Sequence, residues 1–206
     1  MSDFPESSFT RVSGKISGRY LRLCLCLSAA LLFLSSRADE AEMRFDAVIQ
    51  AAAQKHKIDP LLIKALIWQE SRFSPTASGK NGEAGLMQIR HCVAADWSKA
   101  NRQPRPEPHE LFDPYINLEI GTWYLARSIR YWKDARHVLS MALWEYNAGR
   151  FSIKQKLKQH EQPHDFDPAA ESATASTAYI RAIWNKYLEY ITEAAPRLAS
   201  DTPQTP

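Results

Sequence analysis

Apolar residues recur along most of the chain three or four positions apart, which is the spacing of an amphipathic α-helix. The first such pattern predicts a helix over residues 41–57. The next run, from Leu61 to Trp68, is apolar on nearly every side and is typical of a helix buried at a domain centre. Asp59-Pro60 directly precedes it and indicates a helix start, because the carboxylate can cap free backbone amides and proline suits the first position.

The remaining patterns also predict helices. Asp113-Pro114 repeats the helix start, and an apolar stripe follows it. Leu139, Leu143 and Tyr146 predict a short helix that ends at Gly149. The other expectations are a loop over 73–84, a helix over 85–100, a proline-rich loop over 101–108, an ambiguous stretch over 150–175 and a last helix around Tyr179 to Ile191. Six or seven helices without a clear strand predict a single, mainly α-helical domain.

The N-terminal segment has a different composition. Leu23 to Leu34 contains only apolar and small residues, and Arg19 and Arg22 precede it. This run is shorter than the roughly 20 residues of a transmembrane helix, and basic residues before a short apolar run are typical of a secretory signal. We predict a signal peptide or an uncleaved anchor over 1–38, an exported domain over 39–192 in the periplasm or cell envelope, and a flexible tail over 193–206.

Charge and cysteine content exclude several functions and types of site. The net charge of +3 comes from the N-terminal segment, and the rest of the chain is formally neutral, so nucleic-acid binding is not expected. Cys24 and Cys26 also lie in that segment, so signal cleavage would leave Cys92 alone and no internal disulfide. His91, Cys92 and Asp96 are too few for a metal site and do not share one helix face. We therefore predict neither a metal nor a cofactor.

Glu70 is the first candidate for chemistry. It ends the apolar helix, one turn after Leu66 and Ile67, and apolar neighbours raise the pKa of a carboxyl, as a general acid near neutral pH requires. Ser71 follows it and could hold the carboxyl by a hydrogen bond. On position alone, an exposed acid at a helix end is the simpler interpretation.

Three further motifs in a fixed order change that interpretation. They are Gly85-Leu86-Met87-Gln88-Ile89, then Tyr146-Asn147-Ala148-Gly149, then a helical Tyr179, with Asn117-Leu118-Glu119-Ile120-Gly121-Thr122-Trp123-Tyr124-Leu125 between the first two. Together with Glu70-Ser71, over about residues 43–191, this set resembles the SLT-type lytic transglycosylase domain. The resemblance implies a fold like goose-type lysozyme, a single helical domain with a central cleft.

The resemblance also implies an activity. The substrate would be the glycan strand of peptidoglycan, cut at the β-1,4 bond between N-acetylmuramic acid and N-acetylglucosamine. Glu70 would be the sole catalytic carboxyl: it would protonate the leaving oxygen and then take the proton of the C6 hydroxyl, which closes a 1,6-anhydro ring without water. In this interpretation Ser71 orients Glu70, Met87 and Gln88 line the cleft, Tyr146 and Asn147 form the opposite wall, and Tyr179 reaches the catalytic carboxyl.

One departure from the family pattern concerns the residue before Tyr146. The family usually has alanine there, whereas this chain has Glu145. We expect its side chain to point to solvent; an inward side chain could activate water and favour hydrolysis. The alternatives are therefore a hydrolytic muramidase of the same fold and a non-catalytic peptidoglycan-binding module. The partner is the glycan strand; a secretion or conjugation machine and the oligomeric state are left open, with a monomer favoured.

Overall fold

The computed structural model describes residues 40–160, 164–172 and 174–200, with side chains up to residue 195. The predicted signal or anchor segment, with Cys24 and Cys26, lies outside these residues. The helices are α1 (Asp46–His56), α2 (Pro60–Ser71), α3 (His91–Asn101), a 3₁₀ helix (Pro108–Phe112), α4 (Pro114–Tyr131), α5 (Val138–Ala148), α6 (Arg150–Leu157) and α7 (Ala175–Ser200). Within the described ranges β structure is limited to two isolated bridges, so the predicted mainly α-helical class is confirmed.

Both helix starts predicted from aspartate-proline pairs are confirmed. The Asp59 carboxylate accepts a hydrogen bond of 2.8 Å from the Leu61 amide at the start of α2. The Asp113 carboxylate accepts from the amides of Tyr115 and Ile116 at the start of α4, at 2.8 and 3.1 Å. These caps satisfy amides that the first helical turn leaves free.

Helix α2 lies at the centre of the fold, as its nearly continuous apolar sequence predicts. It packs against α7 on one side and α1 on the other, while α4 packs against α1 and α5. Ile63, Leu66 and Ile67 are fully buried, and burial of each such side chain stabilises the fold by about 1.5–3 kcal/mol. The last turn of this well-packed helix carries Glu70, so the core fixes the backbone beneath the candidate acid.

The prediction of a helix over 85–100 is wrong for its first six residues, because α3 begins only at His91. Gly85 and Gln88 both have positive φ, +74° and +49°, which the right-handed helix does not allow. A Cβ on Gly85 would contact the Asn117 amide nitrogen and would lie 2.6 Å from the Leu111 carbonyl oxygen. The loop therefore approaches α4 too closely for any residue but glycine at this point.

The C-terminal end of the fold also differs from expectation. Helix α7 continues to Ser200, eight residues beyond the predicted end of the domain at 192. Glu193, Ala194 and Ala195 favour helix strongly enough to extend it past Ile191. Helix α6 occupies the first part of the stretch that was ambiguous in sequence. None of the helices in the described ranges has both the length and the apolar character needed to cross a membrane.

Candidate active site

A cleft of about 420 Å³ brings together four parts of the chain. They are the end of α2, the loop and first turns of α3, the middle of α4, and the end of α5. The lining residues are Glu70, Asn81, Glu83, Gln88, Ile89, Arg90, Cys92, Val93, Asp96, Tyr124, Tyr146, Asn147 and Gly149. Four of the seven predicted site residues, namely Glu70, Gln88, Tyr146 and Asn147, therefore line one cleft.

The Glu70 carboxyl is the most perturbed acid in this cleft. The pKa of Glu70 is raised from 4.5 to about 7, mainly because burial removes hydrating water from the charged form. The Tyr179 hydroxyl donates a short hydrogen bond to Glu70 Oε1, which lowers the pKa, whereas the nearby charge of Glu83 raises it. A carboxyl with a pKa near 7 can both give and take a proton at neutral pH.

This pKa predicts how Glu70→Gln changes stability with pH. The folded chain holds the Glu70 proton more tightly than the unfolded chain does, since the pKa is about 7 rather than 4.5. Glu70 therefore lowers the unfolding free energy of the wild type as the pH rises from its unfolded-state pKa to its folded-state pKa. The total loss is about 3 kcal/mol. Glutamine does not titrate, so the unfolding free energy of the variant relative to wild type should grow by about 3 kcal/mol between about pH 4 and pH 8. Urea unfolding across that range measures it; a constant difference would show that Glu70 ionises normally.

Tyr179 and Tyr146 are two neutral phenols near this acid, and Tyr179 is the one that is hydrogen-bonded to it. Burial and the Glu70 charge raise the pKa of both phenols well above 10, so both hydroxyls keep their protons. Tyr179 comes from α7, 109 residues away in sequence. The predicted contact between Tyr179 and the Glu70 carboxyl is present. Helix α7 therefore contributes directly to the surroundings of the acid.

Glu83 is a cleft carboxylate that the sequence analysis missed. Although partial burial alone would raise the pKa of Glu83, hydrogen bonds from Asn81 and the charge of Arg90 lower it. The Asn81 amide donates to Glu83 Oε2 at 2.8 Å, and the Asn81 side chain donates to Oε1 at 3.2 Å. A Cβ on Gly79 would collide with this carboxylate. The glycines and asparagine of the 79–83 loop were the available signal. Glu70 and Glu83 thus give the cleft one carboxyl that is readily protonated and another that stays ionised.

Asn117 fixes the loop that precedes α3. Its side chain is fully buried. Its oxygen accepts from the Met87 amide at 2.7 Å, and its nitrogen donates to the carbonyls of Ala84 and Leu111 at 2.8 and 2.6 Å. The sequence motif around Asn117 pointed to the family, but the buried structural role of Asn117 depends on partners 6, 30 and 33 residues away.

Two predicted site residues have other contacts than expected. The Ser71 hydroxyl donates to the Leu86 carbonyl at 2.7 Å and to the Ile67 carbonyl at 3.3 Å, not to Glu70, so the prediction that Ser71 orients Glu70 is wrong. Met87 is fully buried and does not line the cleft. Its side chain packs onto α4, where Gly121 leaves room for its sulfur. Both predictions failed because of the loop before α3, which brings the Leu86 carbonyl to Ser71 and turns the Met87 side chain into the core.

Gln88 lines the cleft and also supports its loop. Its side-chain nitrogen donates to the carbonyls of Ala77 and Gly85, at 3.1 and 2.9 Å. The amide nitrogen is thus used internally, and the amide oxygen is the atom left to meet a ligand from this residue.

Tyr146 and Asn147 form the wall at the end of α5. The Tyr146 hydroxyl donates to the Met87 carbonyl at 2.9 Å, and its ring packs against Tyr124 with centroids 5.3 Å apart. The exposed Asn147 side chain accepts a hydrogen bond from the Ser176 hydroxyl at 3.2 Å. The wall is therefore tied to both the Gln88 loop and α7.

Glu145 points neither to solvent nor into the cleft, so the expectation of a solvent-facing side chain is wrong. It is fully buried and accepts hydrogen bonds from Ser128, Trp132 and Arg150. A carboxylate saturated in this way does not activate water for attack on a sugar. Over the described part of the chain, no group of three histidine, cysteine or acidic residues is placed to hold a metal ion.

Comparison with known proteins agrees with this geometry. A family model described as the transglycosylase SLT domain matches residues 47–169. The membrane-bound lytic murein transglycosylase E of Buchnera aphidicola is 38% identical over 81 residues, which is 38% of this chain and 37% of that protein. The membrane-bound lytic murein transglycosylase C of Photorhabdus laumondii is 26% identical over 194 residues, 89% of this chain and 54% of that protein. The chain thus spans about half the length of these relatives or less.

A solved structure gives the same result for the fold. The 70 kDa soluble lytic transglycosylase of Escherichia coli superposes with a TM-score of 0.59 at 22% identity, covering 72% of this chain and 24% of that one. The predicted lysozyme-like helical fold of this domain type is therefore confirmed.

Proposed function

Because the chain belongs to the transglycosylase SLT domain family, we propose that it is a lytic transglycosylase acting on peptidoglycan. The bond cut is the β-1,4 link from N-acetylmuramic acid to N-acetylglucosamine, and the product carries a 1,6-anhydro end. The curated relatives, both named lytic murein transglycosylases, support this substrate class.

The observation that carries the proposal is the environment of Glu70. Its pKa of about 7 leaves a large fraction protonated at neutral pH. The protonated carboxyl donates to the glycosidic oxygen as the bond from that oxygen to C1 of the muramic residue breaks. The resulting carboxylate then accepts the proton of the C6 hydroxyl, whose oxygen bonds to C1. One proton is given and one is taken, so Glu70 ends in its starting form and no water is consumed.

The cleft wall supplies the remaining functions. Tyr179 holds the Glu70 carboxyl and stabilises its charged form between the two proton transfers. The ionised Glu83 favours the positive charge that develops on the sugar ring as the bond breaks. Gln88 and Asn147 offer amide groups to the amide-bearing substrate from facing walls.

The two alternatives are less well supported by the same residues. Glu145, the residue considered for a hydrolytic muramidase, is occupied by Ser128, Trp132 and Arg150. A peptidoglycan-binding module has no use for a carboxyl whose pKa is about 7. Because peptidoglycan lies outside the cytoplasmic membrane, we further propose that the chain works in the cell envelope after export, with residues 1–38 as its signal or anchor.

Product chemistry tests the proposal. The purified chain is incubated with purified peptidoglycan, and the released sugars are analysed by mass spectrometry, with Glu70→Gln as the matched control. Muramic ends lighter by one water, formed by the wild type alone, are the expected result. Reducing ends would make the protein a muramidase. Binding to peptidoglycan without any product would make it a binding module.

A further inference from the structure

Glu145 and Arg150 form an ion pair across the bend that carries the cleft wall. Glu145 lies in the last turn of α5, directly before Tyr146 and Asn147. Arg150 is the first residue of α6, directly after Gly149. The Arg150 guanidinium donates to both oxygens of the Glu145 carboxylate, at 2.7 and 3.0 Å. The pair therefore joins the two ends of the Tyr146–Gly149 segment.

Both members of the pair are also attached to the end of α4. The Glu145 carboxylate accepts from the Ser128 hydroxyl and the Trp132 indole, each at 2.8 Å. The Arg150 guanidinium lies 3.9 Å from the centroid of the Tyr131 ring, a cation–π contact. Helix α4 is packed against α1 and α5. The contacts of Glu145 and Arg150 with α4 therefore anchor the bend to a rigid part of the core.

The segment between the two residues needs such support. Gly149 has a φ of +76° and opens the bend, and glycine is the residue with the most backbone freedom. Asn147 is exposed, and the hydrogen bond from Ser176 that holds its side chain measures 3.2 Å. The direction in which Asn147 faces the cleft therefore depends on the angle between α5 and α6.

Stability alone does not explain a buried charge at this position. Burying an ion pair costs hydration, and apolar residues of similar volume often give an equal or more stable fold. The family pattern that this chain resembles usually has alanine where Glu145 stands. A charged pair with directional hydrogen bonds fixes the distance and angle between its two residues, which an apolar contact does not.

We propose that Glu145 and Arg150 are positioning residues: their ion pair sets the α5–α6 bend and thereby places Asn147 against the substrate. The inference rests on the proposed function, because its effect is read as turnover of peptidoglycan strands. It assigns Glu145 a role in the reaction without contact to the sugar.

The test compares two glutamate-to-glutamine variants. Glu145→Gln removes the charge of the pair. Glu119→Gln is the matched control, since Glu119 is also an ion-paired carboxylate, is partly buried beside Lys55 and His56 at 2.8 and 3.1 Å, and does not line the cleft. Initial rates on soluble peptidoglycan strands should give a kcat/KM about tenfold lower for Glu145→Gln and within about twofold of wild type for Glu119→Gln.

A double-mutant cycle separates positioning from general loosening of the fold. If Glu145 acts through Asn147, then Glu145→Gln should lower kcat/KM by less than about twofold in an Asn147→Ala background. An equal loss in both backgrounds, or no loss in the wild-type background, overturns the proposal.

Arg150→Gln is a second variant that tests the same ion pair if Glu145→Gln does not fold. It breaks the same pair from its more exposed side, and the remaining Glu145 charge keeps its hydrogen bonds from Ser128 and Trp132 and the Arg127 guanidinium at 4.0 Å. The same tenfold loss is expected, and wild-type kinetics would contradict the proposal. If the wild-type chain itself forms no anhydro product, the proposed function fails, whereas normal activity of the Glu145 and Arg150 variants beside an active wild type refutes the positioning role alone.

Discussion

Glu70→Gln should lower the rate of anhydro-product formation at least about a thousandfold. The amide has the shape of the carboxyl and still accepts the hydrogen bond from Tyr179, but it has no titratable proton to give and no basic oxygen to take one. Glu70 acts in both half-steps, so both are lost together. The measurement is the initial rate of product release on the same peptidoglycan, with circular dichroism and the melting temperature showing that the variant is folded.

Glu83→Gln distinguishes a mechanism with one essential carboxyl from a mechanism with two. Glu83 lines the same cleft and is ionised, but the proposed proton transfers do not pass through it. We expect a loss of about tenfold or less, which corresponds to its electrostatic effect on the sugar cation. Equal losses in Glu70→Gln and Glu83→Gln would contradict the single-acid mechanism and favour a glycosidase pair.

The sequence was sufficient to predict those parts of the fold that depend on local interactions. The starts of α2 and α4 each follow from an adjacent aspartate and proline. The aspartate caps backbone amides that lie no more than three residues after it. The burial of α2 follows from a run that is apolar on nearly every side. The position of Glu70 on that helix was therefore predictable, and with it the expectation that its pKa is raised.

The rest of the site depends on contacts between distant residues. The loop before α3 was predicted as helix because its apolar residues suit one, yet Asn117 binds its backbone and holds it in a turn. The same turn directs Met87 into the core and brings the Leu86 carbonyl to Ser71. Each partner lies 15 to 33 residues away in sequence, beyond the range of local pattern analysis.

Glu145 and Glu83 show why a carboxyl cannot be assigned by sequence neighbours alone. Glu145 adjoins the Tyr-Asn-Ala-Gly motif but is turned toward α4, where Ser128 and Trp132 bind it. Glu83 lies in a segment whose sequence predicts only a loop, yet the conformation of that loop places the Glu83 side chain in the cleft. What decides the role of each acid is the set of donors around it, and those donors come from other elements.

Asn117→Ala should destabilise the fold by about 3–5 kcal/mol, because it leaves three buried backbone groups without a partner. These are the Met87 amide and the carbonyls of Ala84 and Leu111. The substitution also removes the contact that holds the Gln88 loop against α4, so cleavage should fall even where the variant is folded. Urea unfolding gives the first quantity, and rates measured well below the melting temperature give the second.

Asn101→Ala is the matched control for this prediction. Asn101 also donates a side-chain hydrogen bond to a backbone carbonyl, that of Trp97 at 2.8 Å, but it is exposed at the end of α3. Water can replace its hydrogen bond, so the expected change is within about 0.5 kcal/mol. Similar losses in the two variants would contradict the view that Asn117 acts through buried backbone groups. A large stability loss in Asn117→Ala with unchanged cleavage would instead show that the Gln88 loop keeps its position without this side chain.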